Sequence, residues 1–294
     1  MSQAKPIEDA QLFRKIAVAT DFAPSASHAV VAASELAAKF GAELAIIHVV
    51  EPSPLGPDPA IVKDAGQRAL DAAVIRVRDD IPGAGGVLLA GHPAEEVISF
   101  AERSATDLVV VGTRGQGALE RWVLGSVAAK VVRACRCVLA VHDALRAPRR
   151  ILVATDFGAS STRAVELAAR LATAYAARLT LLHVVEDTPP SYAVDALYAG
   201  SLTRSFDDLE RAAQTALEDV AQTMSGAVGD RSVLVRRGKA WSEIAAEAEK
   251  GQHDLVVLGT HGRAGLSRWL LGSVAEKVLR SALPPVLTVR EPTR

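Results

Sequence analysis

Short runs of aliphatic and β-branched residues alternate with amphipathic stretches along the whole chain. Runs at 14–20, 43–50, 86–90, 107–111 and 137–142 are bounded by turn residues and read as buried strands. So do runs at 149–155, 178–185, 232–237, 254–258 and 285–290. Between them apolar residues recur at helical spacing. Ala164, Val165, Ala168, Leu171 and Ala172 share one helix face, with Ser160 or Ser161 as the expected N-cap. Strands that are apolar throughout and separated by helices imply parallel sheets covered on both faces.

The second set of five runs repeats the first. "RKIAVATDF" (14–22) returns as "RRILVATDF" (149–157), and "ELAIIHVVE" (43–51) as "RLTLLHVVE" (178–186). Two later stretches, "GTRGQGALERWVLGS" (112–126) and "GTHGRAGLSRWLLGS" (259–273), are spaced about twelve residues further apart than these pairs. The extra residues fall between the second strand and the glycine stretch, mostly within the proline-bearing segment 187–206, expected as a surface insertion. The expectation is two α/β domains, 1–147 and 148–294, joined near 143–150.

Composition narrows the partners. The 294 residues are 49% hydrophobic and 23% charged, enough apolar content for each half to bury a core. A formal charge of −1 gives no electrostatic case for nucleic acid or an anionic membrane. No apolar run is long enough to span a bilayer, and the first residues lack the apolar core of a secretory signal. The two cysteines, Cys135 and Cys137, are separated by one residue, a poor spacing for a disulfide, and are expected as reduced, partly buried thiols of a cytoplasmic protein.

Each glycine stretch follows a buried run and has the spacing Gly-x-x-Gly, nine residues, Gly-Ser: Gly112, Gly115, Gly125, Ser126, and Gly259, Gly262, Gly272, Ser273. Glycines leaving a strand allow tight turning and close backbone approach. The Gly-Ser opens a helical pattern, whose first N–H groups and positive dipole end favour phosphate oxygens. No lysine follows the loop glycines as a P-loop requires, and the turn after the first strand, "TDFAPS" or "TDFGAS", lacks the dinucleotide fingerprint. His48 and His183 lie inside apolar strands and read as hydrogen-bonded core histidines. No histidine or cysteine spacing suggests a metal site. Asp21 and Asp156, at the ends of the first strands, read either as caps of the following helix or as ligand contacts. Trp122 and Trp269 read as packing or interdomain-contact groups rather than ligand-stacking ones, and the arginines beside them as loop charges or phosphate contacts.

With the strand-end aspartate, this glycine pattern resembles the ATP-binding motif of the universal stress protein family, and both halves together resemble its tandem members. The resemblance implies two repeated open doubly wound domains, each a five-stranded parallel sheet of order 3-2-1-4-5 with helices on both faces. Strands 1 and 4 are then neighbours at the topological switch point, where open α/β sheets bind ligands. Asp21 would face Gly112 across one crevice, and Asp156 would face Gly259 across the other. The family's contacts imply Asp21 and Asp156 near the adenine–ribose part, and the backbone of Val49 and Val184 at the adenine edge. Gly112, Gly115, Gly125, Ser126 and Val127 would cradle ribose and phosphates, as would Gly259, Gly262, Gly272, Ser273 and Val274. Thr20 and Thr155 would contribute through their backbone.

The halves differ: Arg114 and Gln116 stand where the second has His261 and Arg263, and Cys137 where it has Pro285. The resemblance implies an ATP-binding protein, with Mg, whose bound state governs an interaction with an unidentified protein partner. A slow Mg-dependent ATPase or other hydrolase, and a non-binding scaffold, are the alternatives. No lysine or base marks efficient hydrolysis. Strand-five pairing, common among single-domain relatives, implies that "CVLAVH" and "PVLTVR" join the halves as an internal pseudo-dimer, since an exposed apolar edge needs cover. A homodimer through other surfaces is a further expectation.

Overall fold

The computed structural model describes residues 11–52, 58–113, 124–143, 145, 147–186, 206–224, 228–260 and 271–291. The first half runs β1 (Lys15–Ala19), α1 (Pro24–Phe40), β2 (Glu43–Val50), α2 (Pro59–Arg78), β3 (Gly85–Ala90), α3 (Pro93–Arg103), β4 (Leu108–Gly112), α4 (Ser126–Ala134) and β5 (Cys137–Val141). The second runs β6 (Arg150–Ala154), α5 (Ala159–Tyr175), β7 (Arg178–Val185), α6 (Phe206–Thr223), β8 (Arg231–Arg237), α7 (Ala240–Lys250), β9 (Leu255–Gly259), α8 (Ser273–Ser281) and β10 (Val286–Val289). Every strand read from the hydrophobic runs is present, with ends shifted by about one residue.

All ten strands form one sheet of order β3-β2-β1-β4-β5-β10-β9-β6-β7-β8. Pairing is parallel within each half, in the order 3-2-1-4-5. The halves meet antiparallel through β5 and β10, with Leu139 opposite Leu287 and Cys137 opposite Val289. The apolar edges thus cover one another, and the chain contains an internal pseudo-dimer.

Side chains alternate between two buried layers because both sheet faces are covered. On β1 and β4, Ile16, Val18, Leu108 and Val110 face the layer built with α1, α2, α5 and α6, while Ala17, Val109 and Val111 face the layer built with α3, α4, α7 and α8. Helix α1 buries Ala26, Ala29, Ala32, Ala33, Leu36 and Ala37, so it lies close against the strands. Helix α5 differs from expectation at its start. Gly158 is the N-cap, and Ser160 and Ser161 fall in the first turn, where Ser161 binds the aspartate turn instead. The segment expected as an insertion lies almost wholly outside the described residues, apart from Phe206, which opens α6.

Between the halves, Phe40 of α1 meets Tyr175 of α5 edge-on at 6.0 Å, and Leu36, Leu139, Leu171 and Leu287 close around a void of only about 10 Å³. Arg290 extends the seam. Its N–H donates to the Arg136 carbonyl at 2.7 Å, and Nη1 donates to the carbonyls of Arg133 and Ala134 at 2.8 and 3.0 Å. A residue of the second half thereby satisfies last-turn carbonyls of α4, a favourable place for a cation. Cys135 and Cys137 are free thiols. Burial pushes each up to about 12, so neither supplies a thiolate near neutral pH.

The second half also buries a histidine. His253 Nδ1–H donates to the Glu247 carbonyl at 3.1 Å, and Nε2 accepts from the Thr180 hydroxyl at 3.2 Å. Burial lowers its pKa below the ordinary value of 6.5, with Glu247 and Asp254 opposing the shift.

Two outcomes are expected. Arg290→Ala should cost about 0.5–1.5 kcal/mol in urea unfolding, because two last-turn carbonyls of α4 lose a charged donor. For His253, the unfolded chain binds the proton more tightly than the folded one. Stability should therefore be full above about pH 6.5 and fall as pH drops below it. Melting temperatures of wild type and His253→Gln between pH 5 and 8 check this: the variant should lose that part of the slope.

Candidate functional site

The site is built on the first strand of each half, which is fixed at both ends. At the lower end of β1, Asp107 Oδ2 accepts the N–H groups of Arg14 and Lys15 at 2.8 and 3.0 Å. Asp254 does the same for Arg149 and Arg150 at 2.7 and 2.9 Å below β6. At the upper end the Thr20 N–H donates to the Ile47 carbonyl, and the Thr155 N–H to that of Leu182, each at 2.9 Å. His48 Nδ1–H donates to the Thr20 carbonyl at 2.9 Å, and His183 Nδ1–H to that of Thr155 at 2.7 Å. The two histidines are hydrogen-bonded partners of the strand end, as their apolar setting suggested. The threonine backbones are engaged in holding the turn, so the contribution expected of Thr20 and Thr155 becomes positional.

The next backbone step is unusual. Phe22 and Phe157 both have φ of 62°, a left-handed conformation rare for a bulky residue. Their rings lie on His48 and His183 at centroid distances of 4.5 and 4.7 Å, and their N–H groups donate to the preceding threonine hydroxyls at 3.0 and 2.9 Å. The turn is held from below and from the side. It presents Asp21 and Asp156 at the strand ends, where Oδ1 of each braces the chain entering the helix. Asp21 accepts the Ala23 N–H at 3.0 Å, and Asp156 accepts the Gly158 N–H at 2.9 Å. Bracing the turn and facing the crevice are thus compatible roles for one carboxylate.

In the first half a cleft of about 340 Å³ opens beside this turn. It brings together Thr20, Asp21, Val49, Gly112, Gly125, Ser126 and Val127, all singled out from the sequence. Ala26, Pro93 and Val97 also line it, and sequence reading missed them. Their signal was positional: each lies in the first turns of a helix leaving the C-terminal edge of the sheet beside the switch point. The second half repeats the framework, with Thr155, Asp156 and Val184 at the ends of β6 and β7, Gly259 ending β9, and Gly272, Ser273 and Val274 at the start of α8.

Gly125 and Gly272 are N-caps without side-chain caps, so the first-turn amides of α4 and α8 have no intrahelical acceptors. Their own N–H groups donate to Thr113 and Thr260 at 2.7 Å, tying the helix start to the residue after the preceding strand. Ser126 is exposed at the cleft wall. Gly115 and Gly262 lie outside the described residues, as do Arg114, Gln116, Trp122, His261, Arg263 and Trp269. Gly112 and Gly259 serve packing as well as access. A Cβ on Gly112 would come within 3.0 Å of the Ser25 backbone, and one on Gly259 within 2.7 Å of the Ser161 nitrogen. The missing side chain lets the first turn of α1 or α5 press onto the strand end. Among the described residues no group of three or more His, Cys, Asp or Glu is placed to hold a metal ion.

Two open α/β halves in tandem, each with an aspartate turn after its first strand and a glycine-capped helix after its fourth, define a duplicated α/β protein, with a cleft at the switch point of the first half. The universal stress protein family profile matches residues 12–142 and again 148–290, and the chain belongs to that family. It is 29% identical to a universal stress protein of Mycolicibacterium smegmatis over 295 aligned positions, covering 94% of this chain and 96% of that one. It is also 34% identical to universal stress protein MJ0531 of Methanocaldococcus jannaschii over 139 positions, 44% of this chain and 82% of the relative. A universal stress protein from Archaeoglobus fulgidus superposes with a TM-score of 0.69 at 22% identity, covering 96% of this chain and 97% of that one, a likeness of fold.

The packing of the strand-end glycines has a measurable consequence. Gly259→Ala should destabilise by about 1–3 kcal/mol, as overpacking does, and Gly112→Ala by less, because its nearest backbone atoms stand further off. Urea unfolding of the two variants orders them, and equal costs would contradict the geometry.

Proposed function

We infer that this tandem universal stress protein binds an adenine nucleotide, ATP, in each half, and that the bound state governs its association with a protein partner. The observation that carries the reading is the first cleft, where Asp21, Val49, Gly112 and the start of α4 converge on one volume large enough for a nucleotide. Hydrogen-bond acceptors stand at one side and first-turn helix amides, which have no intrahelical acceptors, at the other, matching a ligand with hydroxyls at one end and anionic oxygens at the other. Asp21 and Asp156 accept ribose hydroxyls in this reading. The backbone of Val49 and Val184 meets the adenine edge. Gly112, Gly115, Gly125, Ser126 and Val127 hold the phosphate end of the first site, and Gly259, Gly262, Gly272, Ser273 and Val274 that of the second. Magnesium would accompany the phosphates and supply charge neutralisation there, beside Ser126 in the first half and Ser273 in the second.

In this reading binding rather than turnover is the primary activity. Among the described residues no helix is long and apolar enough to cross a membrane.

ATP with Mg should raise the melting temperature of ligand-free protein. A ligand present at about 100-fold over its Kd stabilises the folded state by about 2.7 kcal/mol. Native mass spectrometry of the purified chain should show adenine nucleotide at up to two per chain. No shift at millimolar ATP would overturn the reading in favour of a non-binding scaffold. Phosphate release that vanishes in a chain altered at Ser126 and Ser273 would favour the ATPase.

A further inference from the structure

Helices α2 and α6 occupy matching places, each packed on the second and third strands of its half, yet their outward faces differ. On α2 the buried residues Gly66, Leu70, Ala73 and Val74 face the sheet, and Leu70 and Val74 press on Gly86 of β3. On the opposite side stand Ile61, Ala65, Arg68, Ala72 and Ile75. They are spaced alternately four and three residues apart, the spacing that lines residues into one stripe along a helix. All five are exposed. Ile61 and Ile75, at 63% and 66%, are the most exposed large apolar side chains among the described residues. The matching positions of α6 hold Asp208, Ala212, Thr215, Asp219 and Gln222, an ordinary polar outer face. An apolar stripe rimmed by charge, present in one half and absent from its copy, marks a contact surface.

We propose that the outward stripe of α2 pairs antiparallel with the same stripe of a second copy of this chain, making a twofold dimer. The stripe reads the same in both directions about Arg68, with an alanine and then an isoleucine to either side. A twofold interface demands this self-complementarity, because the same patch must meet itself. With Arg68 at the axis, Ile61 of each copy packs on Ile75 of the other. The small Ala65 and Ala72 let the two helices approach closely. Charge fits the same arrangement. Asp64 and Asp71 lie on one flank of the stripe, Asp64 ion-paired with Arg68 and Asp71 accepting from Gln67 Nε2 at 2.8 Å. In the antiparallel pair each Arg68 lies between Asp64 of its own helix and Asp71 of the other, so the cation at the seam meets acids from both copies. One helix pair buries less than the roughly 1,600 Å² of a standard interface, so the association is of the weak class. It stands independently of nucleotide binding.

The test is sedimentation equilibrium of the full chain up to about 1 mM, where even a millimolar Kd populates the dimer. The wild-type chain should dimerise with concentration. Ile61→Asp with Ile75→Gln gives α2 the residues that α6 carries at these positions, and should raise the dimer Kd at least about tenfold. Both side chains are exposed, so the melting temperature at low concentration should stay unchanged and report an intact fold. Cross-linking reads the orientation separately. In the antiparallel pair, like positions at 61 lie about 21 Å apart, fourteen residues at about 1.5 Å each, too far for a disulfide. Chains carrying Ile61→Cys mixed with chains carrying Ile75→Cys should therefore oxidise to the mixed disulfide, and neither variant alone should link. A wild-type chain that stays monomeric up to about 1 mM would overturn the proposal. So would a dimer that the double substitution leaves untouched, or Ile61→Cys chains that link to one another.

Discussion

Everything at the candidate sites depends on the first strand of each half being held at both ends. Its lower amides are taken by the aspartate that opens the fourth strand, and its last carbonyl by the histidine of the second strand. These partners come from the two strands flanking it, so the strand end has no freedom to slide relative to the sheet. A left-handed phenylalanine then becomes tolerable, because its ring rests on that histidine and its N–H is already bonded. Backbone strain of this kind persists where the surroundings over-determine it, and here it aims a carboxylate at the switch point.

The glycines illustrate how one residue answers to two demands. From the motif alone, Gly112 and Gly259 read as openings for a ligand. In the folded chain they are also contact points where a helix start meets the end of a strand. The same close approach brings the helix carrying Ala26 or Ser161 against the aspartate turn, so packing and site chemistry share their atoms. A change at these glycines cannot be assigned to binding without a stability measurement beside it.

Joining the halves antiparallel through β5 and β10 has a geometric result. The C-terminal edges of the two half-sheets point in opposite directions, so the crevices open at opposite edges of one continuous sheet. The halves share an apolar seam, with Phe40 against Tyr175 and Arg290 on the last turn of α4. The repeated scaffold is symmetric while the polar detail differs between the halves. The His253–Thr180 and Ser161–Asp156 pairs have no equivalents in the first half, where Thr106 and Ala45 stand at the first pair's positions and Ala26 replaces the serine.

The sequence by itself determined the repeat, the ten strands, the covered parallel sheets and the residues that gather in the first cleft. Hydrophobic period and turn chemistry are local properties, and two copies of the same pattern reinforce each reading. It also indicated that His48 and His183 are hydrogen-bonded, since a polar ring inside an apolar strand must find a partner, although both turn out only half-buried rather than in the core. What only the tertiary structure decided is which groups meet across elements. The N-cap of α5 is Gly158 rather than a serine, as Ala23 is of α1, because the folded aspartate turn starts the helix two residues after the aspartate whichever side chain follows. Pro93 and Val97 join the cleft because α3 starts beside the switch point, a proximity set by strand order and not by spacing along the chain. Hydrogen bonds and close approaches between distant segments depend on that order, and no period in a single sequence encodes it.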